Sequence, residues 1–431
     1  MKTLTDKIRQ GLDTDTNSAK FNTLREAVVY LPKPDDVKGI IVALAGLQNT
    51  YNISSGELAN GQYKGFNLGK LSAEECLDIG LVLANSGFYR LSLEWINTAR
   101  EVALNCIQSK GECFHKQQLV EDVNQILPRI YNDFIMMRTE TMSNIEEIVM
   151  KGAPSGSFIK TEDWKRLRDT NSCKYFGKES LRNFEIMQKF EMLCSAGDTR
   201  KGGFCTEKRN RKYGYFEKPR RVELINKSPL IIMLHDVVDS RYIDFLTKLQ
   251  NMLSRSAILQ SKGTNSKETI ESDLRTSKTL WVSDYELEVA KRVNDILEDQ
   301  TGFRLTKESS EKIQLVNYGI GGHYKPHHDY LPNVVPGSNR LATMLIYLSD
   351  VELGGSTVFP LLDIAVAPVK GSVLIFVNLD ENANGITSTF HGGCPVFLGC
   401  KWIANKWVRV NGQDPNFPKI NPSAWRDVLS I

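Results

Sequence analysis

The chain has 431 residues, of which 41% are hydrophobic and 24% are charged, and its formal net charge is +3 at pH 7. This length favours two or three folded units, and no apolar run reaches the roughly 18 residues needed to cross a bilayer. Because the net charge is small, nothing in it indicates a nucleic-acid partner, and we predict neither a membrane span nor nucleic-acid binding.

The N-terminal residues contain no apolar stretch of signal-peptide length. Two interpretations follow, an incomplete start or a cytosolic protein. The eight cysteines include two close pairs, Cys106 with Cys113 and Cys194 with Cys205. Neither pair has the short spacing of a zinc or redox motif, and for the second pair we predict a disulfide in an oxidising compartment.

The first part of the chain has helical periodicity. Apolar residues recur at helical spacing over residues 37–49. Ser72 and Glu75 have the spacing of a capping box, which predicts a helix over residues 73–85. After a short turn a second helix is predicted over residues 88–104, so these two helices form a hairpin.

Three residues of this hairpin match the small, aromatic and packing positions of a tetratricopeptide unit, namely Gly80, Tyr89 and Trp95. Such repeats form peptide-binding grooves, although a plain helical bundle is an equally good interpretation of the pattern. Another helical stretch covers residues 117–150, where we expect Pro128 to interrupt the helix.

The second part of the chain changes from helical to β-rich patterns. Residues 151–221 are polar, glycine-rich and basic without a period, which predicts an irregular linker. Helices are then expected over residues 240–254 and 283–301, followed by short β-rich runs. The runs cover residues 312–318, 342–348, 356–359, 372–377, 387–390 and 401–408. Their regular spacing fits a sandwich or a jelly-roll barrel.

Three of the six histidines fall within the stretch GGHYKPHHDY, at positions 323, 327 and 328. The first and third residues of an extended triplet project to the same face, so His327 and Asp329 can meet one metal ion while His328 points away. The only histidine downstream is His391, in the motif STFHGGCP. We expect it to supply the third ligand from a neighbouring strand.

Two histidines and one carboxylate form the facial triad of non-haem Fe(II) oxygenases, which leaves metal positions open for a co-substrate and O₂. A zinc hydrolase uses a similar ligand set, but its helical HExxH spacing is not present in the sequence. The sequence therefore favours an Fe(II) oxygenase.

Lys401 lies in an otherwise apolar β-rich run, so its charge needs a partner if it is buried. Facing inward, it would bind the distal carboxylate of 2-oxoglutarate, with help from the hydroxyls of Tyr324 and Thr343. The alternatives are a lysine on the outer sheet face, with Lys406 as its solvated counterpart, and a Thr343 that is only a core residue.

Several stretches together resemble the collagen prolyl 4-hydroxylase α-subunit family. In the β-rich part they are VNYGIGGHYKPHHDY, NRLATMLIYLSDVELGGSTVFP and STFHGGCPVFLGCKWIANKWV. Upstream they are LQNTYNIS, LSAEECLDIGLVLANSGFYRLSLEW, FEMLCSAGD and LWVSDYELEVAKRVNDILEDQTGF. Carried over by position, the resemblance implies iron ligands at His327, Asp329 and His391, a 2-oxoglutarate lysine at Lys401 and a disulfide between Cys194 and Cys205.

The resemblance also implies a reaction and its partners. It implies 4-hydroxylation of prolyl residues in proline-rich procollagen-like peptides, with Fe(II), 2-oxoglutarate, O₂ and L-ascorbate. It further implies residence in the endoplasmic reticulum lumen and assembly with the protein disulfide isomerase β subunit as an α₂β₂ tetramer.

The expected fold is α+β, with an N-terminal α-helical, tetratricopeptide-like region followed by a double-stranded β-helix (jelly-roll) catalytic domain. The expected divisions are a short helical region over residues 1–60, a peptide-substrate-binding domain over 61–150, a linker over 151–221 and the Fe(II)/2-oxoglutarate dioxygenase domain over 222–431.

Three departures from the family pattern stand out. His323 and His328 replace a glutamine and a phenylalanine, Cys394 lacks a downstream partner and is expected to be free, and the region of the second repeat reads EDVNQILPRIY, with one tyrosine. Two alternatives therefore stay open: a dioxygenase acting on a non-collagen protein, and a non-catalytic peptide-binding paralogue.

Overall fold

A computed structural model describes residues 34–108, 116–150, 178–200, 205–208, 220–262, 266–271, 275–283 and 286–413. The chain divides into two compact units, Met1–Leu181 and Arg182–Ile431. The first is helical and the second combines sheets with helices, which confirms the mixed helix-and-sheet class. Within the described residues, no helix has the length and apolarity that a membrane crossing requires.

Helices make up most of the described residues of the first unit. They are α1 (Pro34–Tyr51), α2 (Ser55–Ala59), α3 (Ala73–Asn85), α4 (Tyr89–Gln108) and α5 (Lys116–Met150), and a small hairpin joins β1 (Gln62–Tyr63) to β2 (Phe66–Asn67).

The predicted helical hairpin is formed by α3 and α4. Its capping box is present, because the Ser72 hydroxyl accepts a hydrogen bond from the Glu75 amide at 3.2 Å and the Glu75 carboxylate accepts one from the Ser72 amide at 2.9 Å. The helices approach closely at Gly80, where an added Cβ would lie 2.5 Å from Cγ1 of Ile96. A small residue is therefore required at this crossing.

Helix α5 continues through Pro128, so the predicted interruption is wrong. Leu119, Val123 and Ile130 on this helix are buried in a core shared with α3 and α4. Burial of this apolar face outweighs the hydrogen bond that the proline removes.

The second unit contains α6 (Lys178–Ala196), which begins just before the boundary between the units, and helices α7 (Ser240–Lys248) and α8 (Glu288–Thr301). Its strands are β3 (Cys205–Lys208), β4 (Arg220–Lys227), β5 (Leu230–His235), β6 (Ser254–Arg255), β7 (Ala257–Lys262), β8 (Ser266–Glu271), β9 (Lys278–Val282), β10 (Ile313–Tyr318), β11 (Tyr324–His327), β12 (Arg340–Tyr347), β13 (Leu353–Gly354), β14 (Thr357–Phe359), β15 (Ile364–Val366), β16 (Val373–Val377), β17 (His391–Gly393), β18 (Val396–Leu398) and β19 (Lys401–Arg409).

Two sheets organise this unit. The larger has nine strands in the order β3-β4-β5-β16-β12-β19-β10-β9-β6, and the smaller has four in the order β11-β17-β14-β15. One face of the large sheet packs on helices α7 and α8 through a core that includes Leu246 and Leu297. The other face packs on the small sheet through Phe359, Phe376 and Ile403. The strands that carry the chemistry therefore border the core between the two sheets.

Two predictions about local structure need correction. Residues 387–390 were expected to form a strand, but Thr387–Thr389 is a 3₁₀ turn and the strand begins at His391. The segment expected to be an irregular linker contains α6 and β3 among its described residues. In both cases long-range packing decides the conformation, which short-range periodicity does not report.

The predicted disulfide between Cys194 and Cys205 is wrong. Cys194, near the end of α6, is bonded to Cys394, which directly follows β17 and lies 200 residues away in the sequence. Cys394 is therefore not free, contrary to expectation. Neighbouring cysteines looked like natural partners, but connectivity depends on which strands the fold brings together. Cys106 is disulfide-bonded, and Cys113, its nearest cysteine in the sequence, lies outside the described residues.

Candidate active site

His327, Asp329 and His391 form a cluster that has the geometry of a metal site. One ligand atom from each lies within 4.8 Å of the other two. His327 ends β11 and is directly opposite His391, the first residue of β17, in an antiparallel pair. Asp329 lies in the bend that follows β11. Of the three residues 327–329 that were predicted to be extended, only His327 therefore belongs to a strand.

Both imidazoles are oriented in the same way. Nδ1 of His327 lies 2.9 Å from the backbone oxygen of Lys325, and Nδ1 of His391 lies 2.9 Å from that of Thr389. A carbonyl only accepts hydrogen bonds, so each Nδ1 carries the proton and each Nε2 keeps its lone pair. Each Nε2 lies 3.6 Å from an Asp329 oxygen, so both lone pairs are available where a metal would bind.

The glycines after His391 allow this close arrangement. A Cβ added at Gly392 would lie 2.8 Å from the ring of Phe190 and 2.9 Å from the carbonyl oxygen of Tyr324. Any side chain there would separate β17 from β11 or from α6. Gly392 therefore brings the His391 strand against the His327 strand.

Burial and neighbouring charges set the protonation of the cluster. Burial raises the pKa of Asp329, but His391, His327 and Arg340 outweigh it and hold that pKa well below its usual range. Burial lowers the pKa of His391 to about 4, although Asp329 opposes this shift. At neutral pH the cluster thus presents an ionised carboxylate and a neutral His391, the forms that bind metals.

Aromatic rings surround the cluster. The Tyr324 ring stacks on His327 with centroids 3.6 Å apart, and Phe376 lies 4.6 Å from the His391 ring. The guanidinium of Arg275 lies 5.0 Å from the Tyr324 ring on the same wall. Burial raises the pKa of Tyr324 to about 12, so its hydroxyl keeps its proton.

His328 points away from the cluster, as expected. Its ring packs between those of Tyr330 and Phe390, with centroids 4.6 and 4.8 Å away. His323, the other unusual histidine, places Nδ1 3.0 Å from the backbone oxygen of Gly321. Neither residue belongs to the group that offers metal ligands.

Lys401 is buried, with 3% of its surface exposed. It projects to the same side of β19 as Ile403, whose side chain belongs to the core between the two sheets. Its Nζ would lie 3.9 Å from a Cβ added at Gly393, on the strand that carries His391. An outward-facing lysine is therefore excluded.

The surroundings of the Lys401 ammonium include residues that the sequence did not single out. Nζ donates to the Thr357 hydroxyl at 3.3 Å, and the Tyr347 hydroxyl donates to the same oxygen at 2.9 Å. The rings of Tyr318 and Tyr347 lie 6.0 and 5.7 Å from Nζ. Burial lowers the pKa of Lys401 to about 7. The only sequence signal for Thr357 was its position after the Gly354-Gly355 turn.

Lys406 does not behave as the predicted solvated lysine. Its exposed fraction is 0%, and its Nζ donates to the backbone oxygen of Glu311. Alternation along β19 places it on the face that packs on the helices, opposite Lys401. Helix packing over that face buries it, which the sequence of the strand alone does not reveal.

Thr343, expected to share a carboxylate with Lys401, donates its hydroxyl to Asp329 Oδ2 at 2.7 Å. A second contact supports Asp329 from the backbone side, because Arg340 donates to its carbonyl oxygen at 3.3 Å while forming an ion pair with Glu311. No local pattern predicted the Arg340–Glu311 pair, because its partners are 29 residues apart.

The residues fit an Fe(II) ion. Two imidazole nitrogens and a carboxylate oxygen, all aimed at one small volume, are the facial set of non-haem iron sites. A buried ammonium next to this set suits a ligand that also carries an anionic group.

Residues 313–409 match the 2OG-Fe(II) oxygenase superfamily. The chain is 30% identical to prolyl 4-hydroxylase subunit alpha-1 of Mus musculus, across 89% of this chain and 76% of the mouse protein. It is 28% identical to subunit alpha-2 of Caenorhabditis elegans, across 91% of this chain and 74% of that protein. A solved viral collagen prolyl hydroxylase from Paramecium Bursaria Chlorella virus-1, in complex with 2OG, is 27% identical with a TM-score of 0.33, covering 42% of this chain and 95% of the viral one.

The oxygenase match contains all three residues of the cluster together with Lys401. The similarity to the curated relatives extends across the helical unit as well as the catalytic one. The chain therefore belongs to the prolyl 4-hydroxylase α-subunit family.

Proposed function

We propose that this chain hydroxylates prolyl residues at C4 in procollagen-like peptides and couples this reaction to the decarboxylation of 2-oxoglutarate to succinate. The observation that carries the proposal is the buried Lys401, in a chain of this family. Its Nζ would lie 3.9 Å from a Cβ added at Gly393, on the strand that begins with His391 of the cluster. A cluster that only held a structural metal would not need a buried cation at its side.

His327, Asp329 and His391 are the proposed ligands of Fe(II), and Lys401 is the proposed anchor of 2-oxoglutarate. When bound, Fe(II) and 2-oxoglutarate supply the O₂-dependent oxidation that inserts oxygen into a C–H bond. The protein supplies ordered ligands, because the Nδ1 hydrogen bonds of both histidines fix their rings. The Tyr324 and Phe376 rings cover part of the two imidazoles and so limit the contact of the cluster with water.

The Lys401 ammonium and the Thr357 hydroxyl are the proposed partners of the distal carboxylate of 2-oxoglutarate. Their 3.3 Å contact places two donors side by side. The Thr357 oxygen accepts from both Tyr347 and Lys401, so its own hydrogen is left to donate to a ligand. Tyr324 remains a proposed contributor to the pocket.

Further parts of the proposal rest on the family. We propose a double-stranded β-helix for the catalytic unit, supported by the packing of the four-stranded sheet on the nine-stranded one. We also propose a tetratricopeptide-like, peptide-binding role for the helical unit, supported by the tight crossing at Gly80. L-ascorbate as reductant, the protein disulfide isomerase β subunit as partner in an α₂β₂ tetramer, and the endoplasmic reticulum lumen as compartment complete the proposal.

The test is succinate release and 4-hydroxyproline formation by the purified chain, co-expressed with protein disulfide isomerase. The assay contains Fe(II), ascorbate, 2-oxoglutarate and a Pro-Pro-Gly repeat peptide, and it is compared with a peptide-free blank. We expect peptide-stimulated succinate release and a matching amount of 4-hydroxyproline.

A second candidate substrate is a protein other than collagen. It is favoured by the first part of helix α5, which corresponds to the second repeat and departs from the family pattern. This part carries a single tyrosine, Tyr131, which is 54% exposed. Turnover without stimulation by the repeat peptide would support this candidate. Absence of turnover in an iron-loaded chain would support a non-catalytic paralogue, against which the intact cluster and Lys401 argue.

A further inference from the structure

A chain of buried hydrogen bonds lies behind the carboxylate of Asp329. The Thr343 hydroxyl donates to Asp329 Oδ2 at 2.7 Å, and Asn378 Nδ2 donates to the Thr343 oxygen at 2.9 Å. Asp329, Thr343 and Asn378 are 5%, 1% and 0% exposed, so water does not substitute for any of these bonds. The three residues come from three separate elements: the bend after β11, the centre of β12 and the residue after β16.

The direction of this chain is fixed by chemistry. An ionised carboxylate only accepts hydrogen bonds, and a threonine hydroxyl has one hydrogen. The hydrogen of Thr343 therefore goes to Asp329, and the Thr343 oxygen must accept from the NH₂ group of Asn378. This sets the orientation of the Asn378 amide. The shape of the amide group alone does not distinguish its nitrogen end from its oxygen end.

Asn378 is held in place but not satisfied. Its backbone amide donates to Leu341 and its backbone oxygen accepts from Ile386, each at 2.8 Å. Its side-chain Oδ1 is buried without a hydrogen-bond partner among the described residues. An unpaired buried oxygen is unfavourable, and an apolar side chain of similar volume would avoid it. The side chain is therefore best explained by its one hydrogen bond to Thr343.

The two oxygens of Asp329 have different surroundings as a result. Oδ1 lies 3.6 Å from Nε2 of His327 and Oδ2 lies 3.6 Å from Nε2 of His391, but only Oδ2 also accepts the Thr343 hydrogen bond. The Thr343 hydrogen bond therefore fixes the rotation of the carboxylate so that each of its oxygens faces one of the two histidines. Outer partners of this kind orient metal ligands and raise metal affinity.

We propose that Thr343 and Asn378 are positioning residues that fix the Asp329 carboxylate for Fe(II), with Asn378 acting through Thr343. This inference rests on the proposed function for the identity of the metal, and it assigns a role to side chains that do not themselves touch the metal or the substrate. It replaces the expectation that Thr343 contacts 2-oxoglutarate.

The test measures Fe(II) affinity of the full-length chain by anaerobic titration, following the visible absorption that develops when Fe(II) and 2-oxoglutarate bind together. Thr343→Val removes the hydroxyl with little change in volume, and we expect Fe(II) to bind about tenfold to a hundredfold more weakly. Thr301→Val is the matched control, because it removes another buried threonine hydroxyl, from helix α8, and its Fe(II) affinity should equal that of the wild type.

A second pair of variants keeps the test informative if Thr343→Val folds poorly. Thr343→Ser and Thr343→Ala lack the same methyl group and differ only by the hydroxyl. We expect the serine variant to restore the Fe(II) affinity that the alanine variant loses, which a loss of packing would not produce. Equal Fe(II) affinity in the two variants would overturn the proposal.

A double-mutant cycle tests whether Asn378 acts through Thr343. Asn378→Leu should weaken Fe(II) binding in the wild-type background but not in the Thr343→Val background, since its effect passes through the missing hydroxyl. If the losses of Fe(II) affinity in the two single variants were additive in the double variant, Asn378 would not act through Thr343. Failure of the proposed function would appear separately, as wild-type chain that binds Fe(II) normally but does not hydroxylate the Pro-Pro-Gly peptide.

Discussion

The two faces of strand β19 each carry a buried lysine, yet the two lysines lie in different surroundings. Lys406, on the face covered by helices, donates to a backbone carbonyl oxygen within the core. Lys401, on the face toward the small sheet, lies against Thr357 and two tyrosine rings beside the strand of His391. Burial of a lysine therefore does not by itself indicate function. What distinguishes Lys401 is its position beside the proposed metal site, where we propose that its ammonium binds an anion.

The comparison implies that substitutions on the face toward the small sheet alter the reaction, whereas substitutions on the face covered by helices do not. The largest effect is expected for His391→Ala, which removes one of three ligand groups and should abolish hydroxylation. Peptide-dependent succinate release measures it. His235→Ala is the control, because His235 pairs with Glu223 at 2.9 Å, away from the cluster, and should leave turnover in place. Substantial activity in His391→Ala would refute the assignment of the ligands.

The next effect compares the two lysines directly. Lys401→Met should raise the KM for 2-oxoglutarate by roughly tenfold to a hundredfold, because a charge-assisted hydrogen bond to a buried group contributes about 1.5 to 3 kcal/mol. Lys406→Met is the same substitution on the opposite face and should leave that KM unchanged. Steady-state kinetics with varied 2-oxoglutarate measures both. Equal shifts in the two variants would remove the distinction between the faces.

The disulfide sharpens the comparison, because it links α6 to the strand that carries His391. Loss of the Cys194–Cys394 bond should lower the free energy of unfolding by about 2 to 5 kcal/mol, since the closed loop is long. Urea denaturation of Cys194→Ser and Cys394→Ser should give this decrease. Cys400→Ser removes an exposed free thiol and serves as control. If Cys194 instead paired with Cys205, Cys394→Ser would be as stable as the control.

The smallest effect concerns pH. Burial lowers the pKa of Lys401 in the ligand-free protein to about 7, so the ammonium is present below that pH and lost above it. A bound carboxylate favours the charged form, which means that binding takes up a proton. The apparent Kd for 2-oxoglutarate should therefore rise between pH 7 and 9, by at most about tenfold per pH unit.

Lys401→Met lacks the titrating group, so its affinity for 2-oxoglutarate should change much less over the same pH range. Calorimetric titration at several pH values, with Fe(II) present, compares the two proteins. A parallel dependence in wild type and variant would assign the effect to another group.

The sequence by itself determined the local features of this protein. The capping box at Ser72 and Glu75, the boundaries of α3 and the approximate positions of most strands follow from interactions within a few residues, which a single sequence contains. It also identified the candidate metal ligands and the candidate 2-oxoglutarate lysine, because histidines were few and a lysine in an apolar strand needs a partner. The family motifs added the reaction.

Only the tertiary structure decided which distant groups meet. It paired Cys194 with Cys394, placed Thr343 behind Asp329 with Asn378, and set Thr357 beside Lys401. It also buried Lys406 and carried α5 through Pro128. The physical reason is the same in each case: these outcomes depend on strand pairing and on packing between residues far apart in the chain, and local periodicity contains no information about either.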